Sequence, residues 1–138
     1  MQFTAREWMN ELVVFVDADN TIAEALALMR RRYVNSLIIK KSKAHPEYAI
    51  LTSTDILVKI IAQEHNPNEV KVKDIMISPM ITVSPQTPLK ECAALMKEKQ
   101  IHNLPVLDDT GEVVGMLTAA DFLVAAEAMA RAPGERIV

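Results

Sequence analysis

Leu117-Thr118-Ala119-Ala120-Asp121-Phe122-Leu123, near the end of the chain, has a twin at Leu51-Thr52-Ser53-Thr54-Asp55-Ile56-Leu57. Each stretch leaves an apolar run through Thr-x-x-Asp and enters an amphipathic segment, so the polar pair falls where a strand hands over to a helix. Such a corner offers unpaired backbone N–H groups beside oxygen-bearing side chains, which is ligand-binding chemistry. The same spacing is close to a capping box, with Thr as N-cap and Asp reaching back from the third helical position. On these residues alone both readings stay open, and they are not exclusive.

The twinning extends outward. With an offset of 67, Val16 to Ile39 falls on Val83 to Val106 without a gap, and Val16/Val83, Glu24/Glu91, Ala27/Ala94, Leu28/Leu95, Met29/Met96 and Leu37/Leu104 are identical. After a loop one residue longer in the first copy the offset becomes 66, and Leu51/Leu117, Thr52/Thr118, Asp55/Asp121 and Leu57/Leu123 coincide. A period this long holds a whole supersecondary unit, so the chain is read as a duplication of about 60 residues.

Each copy predicts the same order. An extended segment (Val13 to Val16; Met80 to Val83) leads to a helix start at Asn20-Thr21 or Thr87-Pro88, with Thr87 expected as N-cap and Pro88 at the first helical position. The buried helix face is expected to be Ile22, Ala25, Leu26 and Met29, matched by Leu89, Cys92, Ala93 and Met96. Two apolar runs follow in each copy, and Asp108-Asp109-Thr110-Gly111 suits a hairpin turn between the second pair. Second helices are expected from about Asp55 to Gln63 and from Asp121 to about Arg131. The fold class is therefore α+β, a tandem pseudo-two-fold repeat of strand-helix-strand-strand-helix units. Its parts are residues 1–67, with an N-terminal lead-in, and 68–138, with a C-terminal helix, joined as one compact module through the linker His65 to Ser78.

Composition narrows the function. With 50% hydrophobic, 24% charged and 4% aromatic residues, the chain reads as globular with an aliphatic, methionine-rich core. A net charge of −3 argues against a dedicated nucleic-acid binder. Arg30, Arg31, Arg32, Lys40, Lys41 and Lys43 nevertheless form a basic window at 30–43, and the plainer reading is a helix C-terminus and a solvated loop. Cys92 is alone and aligns with an apolar helix position, so neither a disulfide nor a cysteine metal site is expected. His45 and His65 have no partner spacing, and no metal site is proposed. No base and nucleophile pair is evident, so no catalytic residue is assigned. Without a signal segment or an apolar run of roughly 20 residues, a cytoplasmic location is the default expectation.

Ile101-His102-Asn103-Leu104-Pro105-Val106 before the hairpin and Gly115-Met116-Leu117-Thr118-Ala119-Ala120-Asp121 after it, each in a duplicated unit, resemble cystathionine-beta-synthase (CBS) domains over roughly Leu12 to Met129. Two such domains form one module, the Bateman module, here free-standing. The resemblance implies a non-enzymatic regulatory sensor that needs no cofactor and binds AMP, ADP, ATP or S-adenosylmethionine in a cleft between the repeats. Carried over by position, one site takes Ile50, Thr52, Thr54, Asp55, Met76 and Pro79 with Ile81, Ile101, His102 and Asn103. The other takes Met116, Thr118, Ala120 and Asp121 with Leu12, Val14, Val34, Asn35 and Ser36.

Asp is expected to bind ribose hydroxyls, which an ionised carboxylate accepts in pairs. Thr and the helix N-H groups would receive phosphate, and Ile81 and Ile101 would sandwich adenine. Asn103 and Ser36 stand where tight polyphosphate binders of the family carry Arg, and Ala49 and Ile38 stand opposite Gly115 and Pro105. The two sites are thus expected to be unequal, the one using His102 holding phosphate more firmly. The resemblance also implies a homodimer through Ile56 to Ile61 and Phe122 to Met129, and an unidentified protein target. The alternatives are a structural dimerisation or docking module without ligand, and nucleic-acid binding through the basic window.

Overall fold

A computed structural model describes residues 3–131 of the chain; the rest of the sequence halves 1–67 and 68–138 lies outside the described residues. The elements are α1 (Ala5–Trp8), β1 (Phe15–Val16), α2 (Ile22–Arg32), β2 (Ser36–Ile39), β3 (Ala49–Thr52), α3 (Ser53–Ile56), a π-helical turn (Leu57–Ile61), α4 (Val72–Ile75), α5 (Leu89–Lys99), β4 (Asn103–Leu107), β5 (Val113–Thr118) and α6 (Ala119–Ala130). This is the expected α+β repeat. Two units pack separately: residues 14–80, and residues 1–13 with 81–138.

The packing units are not the sequence halves, because the lead-in of each repeat serves the other. In the unit 14–80, Lys71 bridges Thr21 and Ile77 bridges Ile50. In the other unit, Thr4 bridges Pro88 and Asn10 bridges Met116. Thr4 and Lys71, like α1 and α4, stand 67 residues apart, so the same segment of each repeat performs the same task. Val72 and Ile75 accordingly enter the aliphatic core of the unit 14–80, and Ala5 enters that of the other. The linker from His65 to Ser78 is therefore not a passive connection in its second half.

In the unit 14–80, β2 lies between parallel β1 and antiparallel β3. Leu37, Ile38, Ile39 and Leu51 are fully buried, as a strand covered on both faces demands. The helix start falls at Asn20-Thr21 as expected, and Thr21 is the cap of α2: the Glu24 N–H donates to Thr21 Oγ1 at 3.1 Å, and the Thr21 N–H returns 2.8 Å to Glu24 Oε1. Ile22, Ala25 and Met29 are buried, with Leu26 packed beside them. The helix closes on Tyr33 in the left-handed region (φ 56°), after Arg30, Arg31 and Arg32 in the last turn.

The second unit keeps antiparallel β4 and β5, but the extended segment before α5 shrinks to a single parallel bridge, Val83 to Val106. The cause is Pro105. In the first repeat Ile38 N–H donates to Val14 O at 2.9 Å; Pro105, at the position of Ile38, has no N–H to give. Two further expectations are corrected. Pro88, not Thr87, occupies the N-cap of α5, since Leu89 N–H is taken by Phe3 O at 2.8 Å and Thr87 Oγ1 accepts from Ser84 N at 3.1 Å. Ala93 is exposed; Met96 packs on the core as expected, and Leu95 packs there beside it. The hairpin turn forms as expected, with Gly111 at φ 85° and Asp108 Oδ1 accepting from the Thr110 hydroxyl at 2.6 Å and N–H at 2.9 Å. Cys92 is fully buried, and burial pushes its thiol up to about 11, so it is protonated at neutral pH.

Gly115 is explained by the exchanged lead-in. A Cβ at this position would lie 2.8 Å from Met9 Cγ and closer still to its Sδ. The first repeat has Ala49 there. Gly115→Ala is therefore expected to destabilise the chain by about 1–2 kcal/mol, the lower end of overpacking because Met9 is flexible. Thermal denaturation checks this; an unchanged midpoint would show that Met9 moves aside freely.

Candidate ligand-binding corners

Both Thr-x-x-Asp stretches form a strand-to-helix corner. Thr52 ends β3 and caps α3; Thr118 ends β5 and caps α6. Asp55 Oδ2 accepts from Thr52 N–H at 2.9 Å and from its hydroxyl at 3.1 Å; Asp121 Oδ2 accepts from Thr118 N–H at 2.8 Å and hydroxyl at 3.1 Å. The capping reading thus holds at both corners. It occupies one carboxylate oxygen in each and leaves the other to be accounted for.

The second oxygen distinguishes the corners. Asp55 is only 7% exposed, and its Oδ1 lies 3.2 Å from Lys59 Nζ, which also donates to Ile75 O at 2.9 Å. Asp121 is half-buried and forms no ion pair among the described residues. Its fourth residue onward is Ala125, buried in the core, where the first repeat has Lys59. Asp55 is thus a satisfied charge and Asp121 retains acceptor capacity.

The strands bring further candidates to these corners. Ser36 faces Thr52 across β2 and β3, and Ser53 N–H donates to Asn35 O at 3.1 Å. Asn103 faces Thr118 across β4 and β5. Residues directly opposite share one face of the sheet, so Ser36 joins the Thr52 corner and Asn103 the Thr118 corner. Within each packing unit the structure therefore groups residues that the family resemblance divides between two sites. Asn103 is 8% exposed, and its Oδ1 is buried with no hydrogen-bond partner among the described residues. A buried acceptor left in this state costs about 1–3 kcal/mol, which a donor would recover.

The other candidates are placed as follows. Ile50 and Met116 are buried strand residues beside the exchanged lead-ins; Val14 is buried in the core of the unit 14–80. Thr54, Pro79, His102, Ala120, Asn35 and Leu12 are exposed, while Val34, Met76, Ile81 and Ile101 are half-buried. Of the basic window, Arg30, Arg31 and Arg32 close α2, Lys40 stands 3.9 Å from Asp17, and Lys41 lies 4.6 Å from the Tyr48 ring centroid. Among the described residues no group of three or more His, Cys, Asp or Glu is placed to hold a metal ion, and no helix is long and apolar enough to cross a membrane.

Lys59 was absent from the candidates. Its signal was present: Asp and Lys four residues apart on one helical face form an ion pair readily. The orphan oxygen of Asn103 had no signal in the sequence, because its burial depends on strand pairing.

Comparison with known proteins places these corners in a family. The CBS domain model matches residues 5–62 and 72–128. An uncharacterized protein of Methanopyrus kandleri is 37% identical over 103 residues, covering 75% of this chain and 52% of that protein. The hexameric CBS-CP12 protein from bloom-forming cyanobacteria superposes with a TM-score of 0.87 at 28% identity, over 99% of this chain and 74% of that one. The cytosolic domain of the Mg2+ channel MgtE, solved in complex with ATP, gives 0.71 at 25% identity, over 91% of this chain and 49% of that one. The chain spans about half the length of curated relatives it matches. CBS domain pairs are regulatory modules, and with two matched repeats this chain belongs to the CBS domain family as a Bateman module.

Proposed function

We propose that this chain is a non-catalytic regulatory module that binds an adenosyl ligand, such as AMP, ADP, ATP or S-adenosylmethionine, through its Thr-x-x-Asp corners. The observation that carries the reading is the Asp121 corner: a half-buried residue whose carboxylate has no ion pair among the described residues, at the N-terminus of the 12-residue α6, with the orphan acceptor of Asn103 facing Thr118 across the sheet. A ribose supplies two adjacent hydroxyl donors, and pairing them with an ionised carboxylate gives charge-assisted hydrogen bonds. The ATP held by the MgtE domain supports the ligand class. Ligand shifts the module only through its differential affinity for two conformations, so the output is a population shift read by a partner protein.

A second reading has its own support. Leu57 and Val58, and their counterparts Leu123 and Val124, are 61%, 49%, 73% and 58% exposed, an apolar surface repeated on both units. Together with the hexameric state of the CBS-CP12 neighbour, this favours self-association, either as the setting for ligand sensing or as the whole function. A thermal-shift screen separates the two. A bound adenosyl ligand at 100 times its dissociation constant is expected to stabilise by about 2.7 kcal/mol; no shift with any adenosyl compound would leave self-association as the function.

A further inference from the structure

We propose that Lys59 is a built-in occupant of the Asp55 corner, so that the two corners are used in sequence and not in parallel; this rests on the adenosyl reading. Both carboxylate oxygens of Asp55 are engaged. Oδ2 closes the capping box on Thr52 at 2.9 and 3.1 Å, and Oδ1 faces Lys59 Nζ at 3.2 Å. The ammonium is fixed from a second side by Ile75 O at 2.9 Å, a carbonyl at the end of α4. A ligand hydroxyl that seeks this carboxylate competes with a half-exposed ammonium already paired to it. At Asp121 the counterpart of Lys59 is Ala125, and among the described residues no cation pairs with its carboxylate.

The lysine also has somewhere to go. It lines a cavity of about 370 Å3 with Gln63, His65, Val70, Asp74 and Ile75. Asp74 offers a second carboxylate in that wall; its Oδ2 accepts only Lys71 N–H, at 3.0 Å, among described partners. The segment carrying Lys59 is the π-helical turn Leu57–Ile61, an irregularity often found where a helix serves a function. Because Lys59 and Asp74 line the same cavity, the proposed lock gives the lysine two alternative carboxylates: bound to Asp55 it closes the first corner, and turned toward Asp74 it opens it. The expected order of filling is Asp121 first, reversing the ranking that the His102 position implied.

Calorimetric titration with AMP and with S-adenosylmethionine tests this. The native chain is expected to bind one equivalent, Lys59→Met two, and Lys59→Arg one. Lys59→Gln, which keeps polarity without charge, is expected to match the Met variant and covers the case in which Met fails to fold. Two equal sites in the native chain, or one in folded Lys59→Met and Lys59→Gln, would overturn the lock. A native chain that binds neither compound would count against the adenosyl reading, and the lock is then decided without ligand. NMR of the lysine ammonium nitrogens is expected to show slow proton exchange at Lys59, lost in Asp55→Asn. Exchange as fast as at the exposed Lys43 would overturn it.

Discussion

Asp121→Ala is expected to abolish the ligand-induced thermal shift of this chain while leaving it folded. At 100 times the dissociation constant the native shift corresponds to about 2.7 kcal/mol, on the order of 10 °C for a chain this size. The substitution removes the partner of Thr118 N–H and hydroxyl, so about 1 kcal/mol of helix-cap stability is lost as well. The two effects separate cleanly, because cap loss lowers the midpoint with and without ligand, whereas site loss removes only the difference between them. Asp121→Asn sharpens the test by keeping an acceptor for the cap but removing the charge. A full ligand shift in both variants would show that the carboxylate caps α6 and does nothing more.

The other large effect belongs to the core. Leu117 is fully buried, pairs across the sheet with fully buried Leu104, and leads directly into the Thr118 corner. Leu117→Ala is expected to cost 2–5 kcal/mol through lost burial and the cavity left behind, roughly 6–20 °C in midpoint. Leu123→Ala, only six residues on but 73% exposed, is expected to cost no more than about 0.5 kcal/mol. Denaturant titration of both variants checks this, and similar losses would mean that Leu123 is buried in an assembly in solution.

Local periodicity carried much of this structure. The α2 face, its start at Asn20-Thr21, the Gly111 turn and both Thr-x-x-Asp corners could be read from residues within a few positions of one another. What escaped was set by pairing over long distances. Nothing near Thr4 indicates that it bridges Pro88, and nothing near Asn10 that it meets Met116, since such contacts depend on the chain returning to the same place. The reduced strand at Val83 escaped for a related reason: the missing donor lies on Pro105 in another strand. The π-helical turn at Leu57–Ile61 also went unread, and the helix start at Ser53 follows the capping-box reading of Thr52 and Asp55, not the later start near Asp55 that periodicity suggested.

The candidate site was legible in outline and not in its balance of charge. Thr52, Asp55, Thr118 and Asp121 were identified by their recurrence, which treats the two copies alike. Duplication preserves position; it does not preserve neighbours. Lys59 against Ala125, and Ser36 against Asn103, are the substitutions that make one corner satisfied and leave acceptors unused at the other.

The most direct measurement is a calorimetric titration of the unmutated chain with AMP, ATP and S-adenosylmethionine, repeated on Asp121→Ala. The account predicts saturable heat with at least one of the three compounds and its loss in the variant. No heat with any of them, or an undiminished isotherm for Asp121→Ala, would contradict it.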